Sequence, residues 1–240
     1  MYKRQEVKEQ IDLMYSLIHQ QVDVIVLVPI DSKALVQPAV EAVRKGIPVI
    51  NIDIQLDAQL LEQAGVEVAF VGPDNFAAAY EVGKLLGKKL RNEDKVAIIE
   101  GLAAADNARQ RKRGFIKAIE EKGLRLVASE PADWETEKAA EVFQAMWMRY
   151  PDLKAVYCSN DAMALGVLQQ MQEKKCYLPV VGFDNDAVMK EFLSTGKLVA
   201  TADIFSSQMA VRGIEFALDV LEGRIENRGV HSTAYEIIKQ

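Results

Sequence analysis

Side chains of four different chemistries stand where short segments break into loops. They are Arg111 in Asn107-Ala-Arg-Gln-Arg111, Trp134 in Ala132-Asp-Trp134, Asn160 in Cys158-Ser-Asn-Asp161 and Asp184 in Val181-Gly-Phe-Asp184. In an open parallel sheet, ligands bind in the crevice outside the carboxyl ends of the strands. These residues are therefore expected to converge on one crevice, although they lie far apart in sequence. A guanidinium fork, a flat aromatic face, an amide and a carboxylate together suit a polyhydroxylated ring. The polar groups exchange hydrogen bonds with hydroxyls, and the aromatic face covers C–H groups. Asp53, at the end of the run Ile47–Ile52, is a further candidate acceptor. Asp53 reads equally well as a turn or cap aspartate, and Asp184 has the same alternative.

Each of these residues has competitors. Arg111 opens a helix that also carries Arg109, Lys112 and Arg113, and those three read as a solvated basic face. An arginine fork can hold two vicinal hydroxyls, or a carboxylate if the ligand is acidic. Trp134 lies between Asp133 and Glu135, an awkward place for a core residue, so its ring is expected to face the ligand. Trp147 sits among Phe143, Met146 and Met148 and reads as packing, as does Phe76. One of Asn160 and Asp161 is expected to cap the following helix, with Asn160 assigned to the ligand. His19 and His231 have no partner at metal-ligand spacing, so neither a metal nor a cofactor is expected.

The elements that must position these residues alternate along the chain. Apolar residues at Val7, Ile11, Met14, Leu17 and Ile18 give Gln5–His19 helical spacing. Val22–Val28 is a buried strand. Ser32 caps a helix to Lys45, in which Pro38 implies a kink or a late start. Further strands are expected at Ile47–Ile52, Val66–Val71, Lys95–Glu100, Leu124–Ser129, Ala155–Ser159, Pro179–Val181, Leu198–Ala202 and Tyr235–Lys239. Further helices are expected at Asp74–Leu90, Arg109–Lys122, Glu135–Arg149, Asp161–Lys174, Asp186–Ser194 and Ser206–Leu221. Such alternation means βαβ units and parallel sheets, with right-handed crossovers placing helices on both faces.

Composition narrows the function. Of 240 residues, half are hydrophobic and 27% charged, as in an ordinary globular chain, and the formal net charge is −6. Without a basic stripe, nucleic acid has no electrostatic footing here. The apolar runs are too short to cross a bilayer, and the charged opening carries no signal-peptide pattern. Cys158 and Cys176 read as two free thiols rather than a disulfide. There is no Gly-x-Gly-x-x-Gly after a strand, no P-loop and no nucleophile beside a base, which argues against an enzyme.

The chain resembles the type I periplasmic substrate-binding proteins of sugar ABC transporters, the ribose-binding-protein-like group. The resemblance rests on Val28-Pro-Ile-Asp-Ser32, Gly46-Ile-Pro-Val-Ile-Asn-Ile-Asp53, Gly72-Pro-Asp-Asn75, Arg109-Gln-Arg-Lys-Arg-Gly-Phe115, Pro131-Ala-Asp-Trp134, Ser159-Asn-Asp-Ala-Met-Ala-Leu-Gly166, Val180-Val-Gly-Phe-Asp184 and Gly196-Lys-Leu-Val-Ala-Thr201. These stretches occur in the family's order across nearly the whole chain.

The resemblance implies two doubly wound α/β lobes that close about a monosaccharide or polyol and present it to a membrane permease, in the periplasm or, lipid-anchored, outside the cell. It assigns Asp53, Arg111, Trp134, Asn160 and Asp184 to the ligand. It implies a first lobe of residues 1–72 plus 205–230 and a second of 73–204 plus 231–240. The family opens with a strand–helix–strand unit before the helix at which this sequence begins. The first lobe is therefore expected to lack that unit and to be rearranged, swapped or dimerised through the exposed edge. Ile54 and Ile204 stand where ribose binders carry an arginine and a glutamine, which points away from ribose itself. The effector domain of a LacI-type regulator shares the fold but would follow a helix-turn-helix, and none is visible. Sensing through a chemoreceptor or kinase is a further alternative.

Overall fold

The computed structural model describes residues 7–239. The chain divides into two compact units: the first takes the chain up to Pro73 with Ala104–Asn107 and Ser206–Thr233, and the second takes Asp74–Ala103, Ala108–Phe205 and the chain from Ala234. Residues 231–233, expected with the second lobe, belong to the first unit.

The first unit contains α1 (Val7–His19), β1 (Ile25–Leu27), α2 (Val36–Arg44), β2 (Val49–Ile52), α3 (Ala58–Ala64) and β3 (Phe70–Pro73), joined late in the chain by α9 (Ser206–Leu221) and β9 (Val230–Thr233). Its sheet is parallel, in the order β1-β2-β3-β9. One core gathers Met14, Ile18, Leu35, Val40 and Val49 between α1, α2 and the sheet. A smaller one packs Ile50, Ile52 and Val71 under Ala217 of α9.

The expected strand at Val66–Val71 is shorter, and the sequence reading passed over α3. That helix is fixed by its ends: the Asp57 carboxylate accepts from the Leu60 N–H, and Gly65 closes it in the left-handed region. Ser32 does not cap α2, which starts late at Val36 with Pro38 in its first turn. The Ser32 hydroxyl instead accepts from the Asp106 N–H at 2.9 Å. β9 was also unforeseen. Asn227 fixes its approach by accepting from the Ala69 N–H and donating to the Val49 carbonyl.

The second unit contains α4 (Asn75–Gly87), β4 (Lys95–Glu100), α5 (Asp106–Lys122), β5 (Arg125–Pro131), α6 (Thr136–Arg149), β6 (Ala155–Cys158), α7 (Asp161–Glu173), β7 (Val180–Val181), α8 (Met189–Ser194), β8 (Leu198–Asp203) and β10 (Glu236–Lys239). The sheet order is β10-β8-β7-β6-β4-β5, parallel except for β10, which runs antiparallel along β8. Its core is centred on Ile99, Phe143, Val156 and Val167.

Trp147 packs parallel to Phe143, with ring centroids 6.3 Å apart, as a packing role requires. Phe76 is not a core residue: it is half-buried, and its ring lies beneath Arg113 and Lys117. Both cysteines are free thiols. No helix of the described residues is long and apolar enough to cross a membrane.

Candidate functional site

In the second unit, the predicted side chains lie at the carboxyl ends of parallel strands or at the helices that follow. Arg111, on α5, is only 3% exposed. Burying a guanidinium is costly unless its donors are satisfied, and here two of its three nitrogens have partners. Nε donates to Asn75 Oδ1 at 2.9 Å. Nη1 donates to the Ser159 carbonyl at 2.8 Å and to Asp184 Oδ1 at 3.4 Å. The guanidinium carbon lies 3.7 Å from the centre of the Phe183 ring and 5.5 Å from that of Trp134. Arg111 is thus a fixed cation with an aromatic platform, next to a half-buried carboxylate.

The others of the basic run behave differently. Lys112 pairs with Glu100 at 2.7 Å, and Arg109 donates to the Ala103 carbonyl, so neither belongs to a purely solvated face. Arg113 is exposed.

Trp134 is held by an unusual backbone. Asp133 and Trp134 both have positive φ, 54° and 70°, a region costly for residues with a Cβ. The loop is fixed by the Ala132 N–H donating to the Glu100 carbonyl and by the ion pair of Lys138 with Asp133. The indole lies directly over Gly101 at the end of β4. A Cβ built there would come within 2.0 Å of the ring. The ring is half-buried and also packs on the unit's core, so it is less exposed than the sequence suggested.

Asn160, not Asp161, is the cap of α7. Its Oδ1 accepts from the Met163 N–H at 2.9 Å. A cap uses the amide oxygen, so the NH₂ group keeps its donors for a ligand. Asp161 is fully buried, with Oδ2 accepting from the Asp186 N–H and Oδ1 from the Thr201 hydroxyl. Burial, reinforced by the nearby Asp184 carboxylate, raises its pKa to about 8.

Asp184 has φ 109° and Asn185 φ 57°. The Asp184 N–H donates to the Ala202 carbonyl, and the Asn185 amide donates to Asp203. These bonds tie the ends of β7 and β8 together.

In the first unit, Asp53 follows β2 with φ 64°, its N–H donating to the Val71 carbonyl. The buried Asn51 shapes that loop. Its amide donates to the Leu27 and Ile54 carbonyls and its oxygen accepts from the Leu56 N–H. Non-glycine residues held at positive φ therefore carry Asp53, Trp134 and Asp184. Such strain gathers where a side chain must be aimed.

Residues 1–225 match the family model described as a periplasmic binding protein domain. The chain belongs to that family. This periplasmic binding protein is 40% identical over 238 residues to a D-ribose/D-allose-binding protein of Pseudomonas aeruginosa, covering 97% of this chain and 75% of the relative. It is 34% identical over 217 residues to the D-allose-binding periplasmic protein of Escherichia coli, covering 88% and 70%. Its fold matches that of a periplasmic solute-binding protein of an ABC transporter from Actinobacillus succinogenes with bound D-allose. The TM-score is 0.90 at 31% identity, over 97% of this chain and 84% of that one.

Sequence reasoning missed two supports of the binding protein's Arg111. Asn75 follows the α4 cap Asp74 and gives no signal beyond helix initiation. Phe183 could have been found from the order Val-Gly-Phe-Asp, since a fully buried ring one residue before a strand-end carboxylate turns toward the same end of the sheet. The substituted positions Ile54 and Ile204 are half-buried and buried. Among the described residues, no group of three or more His, Cys, Asp or Glu could hold a metal ion.

Proposed function

We propose that this chain is the sugar-binding receptor of an ABC transporter. It binds a neutral monosaccharide or polyol without chemically changing it and hands it to a membrane permease. The observation that carries this reading is the buried Arg111, stacked on Phe183, hydrogen-bonded to Asn75 and Ser159 and adjoining Asp184 and Trp134. A prearranged donor fork, a carboxylate acceptor and an aromatic face meet the needs of a ring bearing vicinal hydroxyls, at little ordering cost on binding. Asn160 adds amide donors, and Asp53 is a further candidate acceptor.

The relatives named for D-ribose and D-allose support an aldose as ligand, and the name of the second, a periplasmic protein, supports a periplasmic location. A lipid-anchored form outside the cell serves the same role. Isoleucine at positions 54 and 204 supplies no hydrogen-bonding groups where ribose binders carry an arginine and a glutamine, so D-allose or another hexose, pentose or polyol is expected to rank above D-ribose.

The test is a thermal-shift and calorimetric screen with D-ribose, D-allose, D-arabinose, xylitol and ribose 5-phosphate. At a hundred times its Kd, a ligand adds about 2.7 kcal/mol of stability. One neutral sugar should raise the melting temperature selectively. Trp134→Ala should then weaken it by at least about 0.5–1.5 kcal/mol through lost stacking. Selective binding of the phosphate, or affinity unchanged by Trp134→Ala, would contradict the assignment.

A further inference from the structure

The turn after β7 holds two consecutive residues at positive φ, Asp184 at 109° and Asn185 at 57°. Asn185 lies in the left-handed region that asparagine tolerates, whereas Asp184 lies beyond it. Such a turn persists only where its surroundings over-determine it.

Asp161, the first residue of α7, supplies those surroundings. Its N–H donates to the Phe183 carbonyl at 2.7 Å, just before the turn. Its Oδ2 accepts from the Asp186 N–H at 2.8 Å, just after it. Its Oδ1 accepts from the Thr201 hydroxyl at 2.9 Å, and Thr201 Oγ1 in turn accepts from the Asn185 N–H at 3.2 Å. One residue therefore grips the turn at both ends and, through Thr201, in the middle. Asp161 and Thr201 are both fully buried, so water does not compete for these bonds and each is stronger than at the surface. Gly182 makes the room: a Cβ there would come within 1.9 Å of Asp161 Oδ1.

We propose that Asp161 is a positioning residue of the ligand site, holding the turn of residues 183–186 so that the Asp184 carboxylate meets the ligand beside Arg111. Asp161 itself stays behind the turn, out of reach of the ligand. This role rests on the sugar-binding reading of the site. A carboxyl that only stabilises the core would be missed throughout the unit, whereas a positioning residue is missed at Asp184. Asparagine has the shape to replace it: its oxygen accepts from the Asp186 N–H while its NH₂ donates to Thr201 Oγ1. Alanine removes the grip.

The test combines D-allose calorimetry with residue-resolved amide exchange by NMR, on the whole chain. Asp161→Ala should weaken D-allose about tenfold, the size of one lost hydrogen bond to a charged group, and Asp161→Asn should recover the affinity. In an Asp184→Ala background, Asp161→Ala should cost nothing further, because its effect passes through Asp184. Val167→Ala trims the core against the same helix, and should lower the melting temperature while leaving affinity unchanged. Without ligand, Asp161→Ala should speed exchange of the Asp184 N–H, which bonds to Ala202 rather than to Asp161, while β4 stays protected. Undiminished binding by Asp161→Ala, additive losses in the double variant, no recovery with asparagine, or an equal loss in Val167→Ala would each overturn the proposal. If D-allose does not bind the wild type, or binds Asp184→Ala as tightly, the sugar reading fails on its own. The exchange arm then decides the role of Asp161, and an Asp184 N–H equally protected in Asp161→Ala overturns it. If Asp161→Ala does not fold, Gly182→Ala displaces the carboxyl from outside, and wild-type affinity with an unchanged Asp184 N–H in that variant overturns the proposal.

Discussion

Asp161 shows how much one buried carboxyl can shape this protein. It receives hydrogen bonds from Thr201 and the Asp186 N–H, which favour the charged form, yet burial and the neighbouring Asp184 outweigh them and raise its pKa to about 8. At neutral pH it is held largely protonated, which leaves Asp184 as the carboxylate facing Arg111. The consequence for stability has a definite sign. An unfolded aspartate titrates near about 3.9, so above that pH the native state holds a proton that the unfolded state has lost. Stability contributed by this group is present below the unfolded pKa and is lost as pH rises toward 8. Asp161→Asn keeps the shape without the titration. From about pH 5 to about pH 8 the wild type should therefore lose stability relative to the variant, by at most about 1.4 kcal/mol per pH unit. Melting curves across that range check this, and parallel pH profiles for the two proteins would show that no proton is held.

At the scale of elements, the contact of α6 with α7 depends on Gly166. A Cβ there would come within 2.0 Å of the Thr136 backbone carbonyl oxygen. An exposed helical Gly→Ala change stabilises by about 0.5–1 kcal/mol, but overpacking costs about 1–3 kcal/mol, and a backbone atom cannot move aside as a side chain can. Gly166→Ala should thus lower the denaturation midpoint despite the better helix propensity of alanine; a raised midpoint would mean the helices separate freely. No periodicity marks Gly166 as a contact point, which illustrates what the sequence can and cannot reveal. The βα alternation was legible because buried parallel strands are continuous apolar runs and their helices have clear stops. α3 was not, since a seven-residue helix carries too few apolar positions to show a period, although Asp57 and Gly65 signalled its ends. β9 was hidden because its residues are polar and its place is fixed by Asn227, far from β2 and β3 in sequence. The placement of Arg111, Trp134, Asn160 and Asp184 at strand ends or on the helices that follow was legible. The division of labour between Asn160 and Asp161 was not, since both residue types suit a cap and only the packing around Thr201 decides which is buried.

At the scale of the whole molecule, the chain builds separate cores, one set under α1, α2 and α9 and another around β4 and β6. β4 is paired on both sides, with β5 and β6, and β6 on both sides, with β4 and β7. Their interiors are fully buried. Backbone amides there can exchange only by opening the core of the second unit. Among the described residues, β1, β5, β9 and β10 each have a single neighbour, so their amides exchange through local fraying at lower free energy. Hydrogen exchange read by mass spectrometry should find Val96–Ile99 and Ala155–Cys158 slowest, with the edge strands β1, β5, β9 and β10 faster. Exchange at β4 and β6 as fast as at the edge strands would contradict this ordering, because it would mean the second core opens as readily as a sheet edge frays.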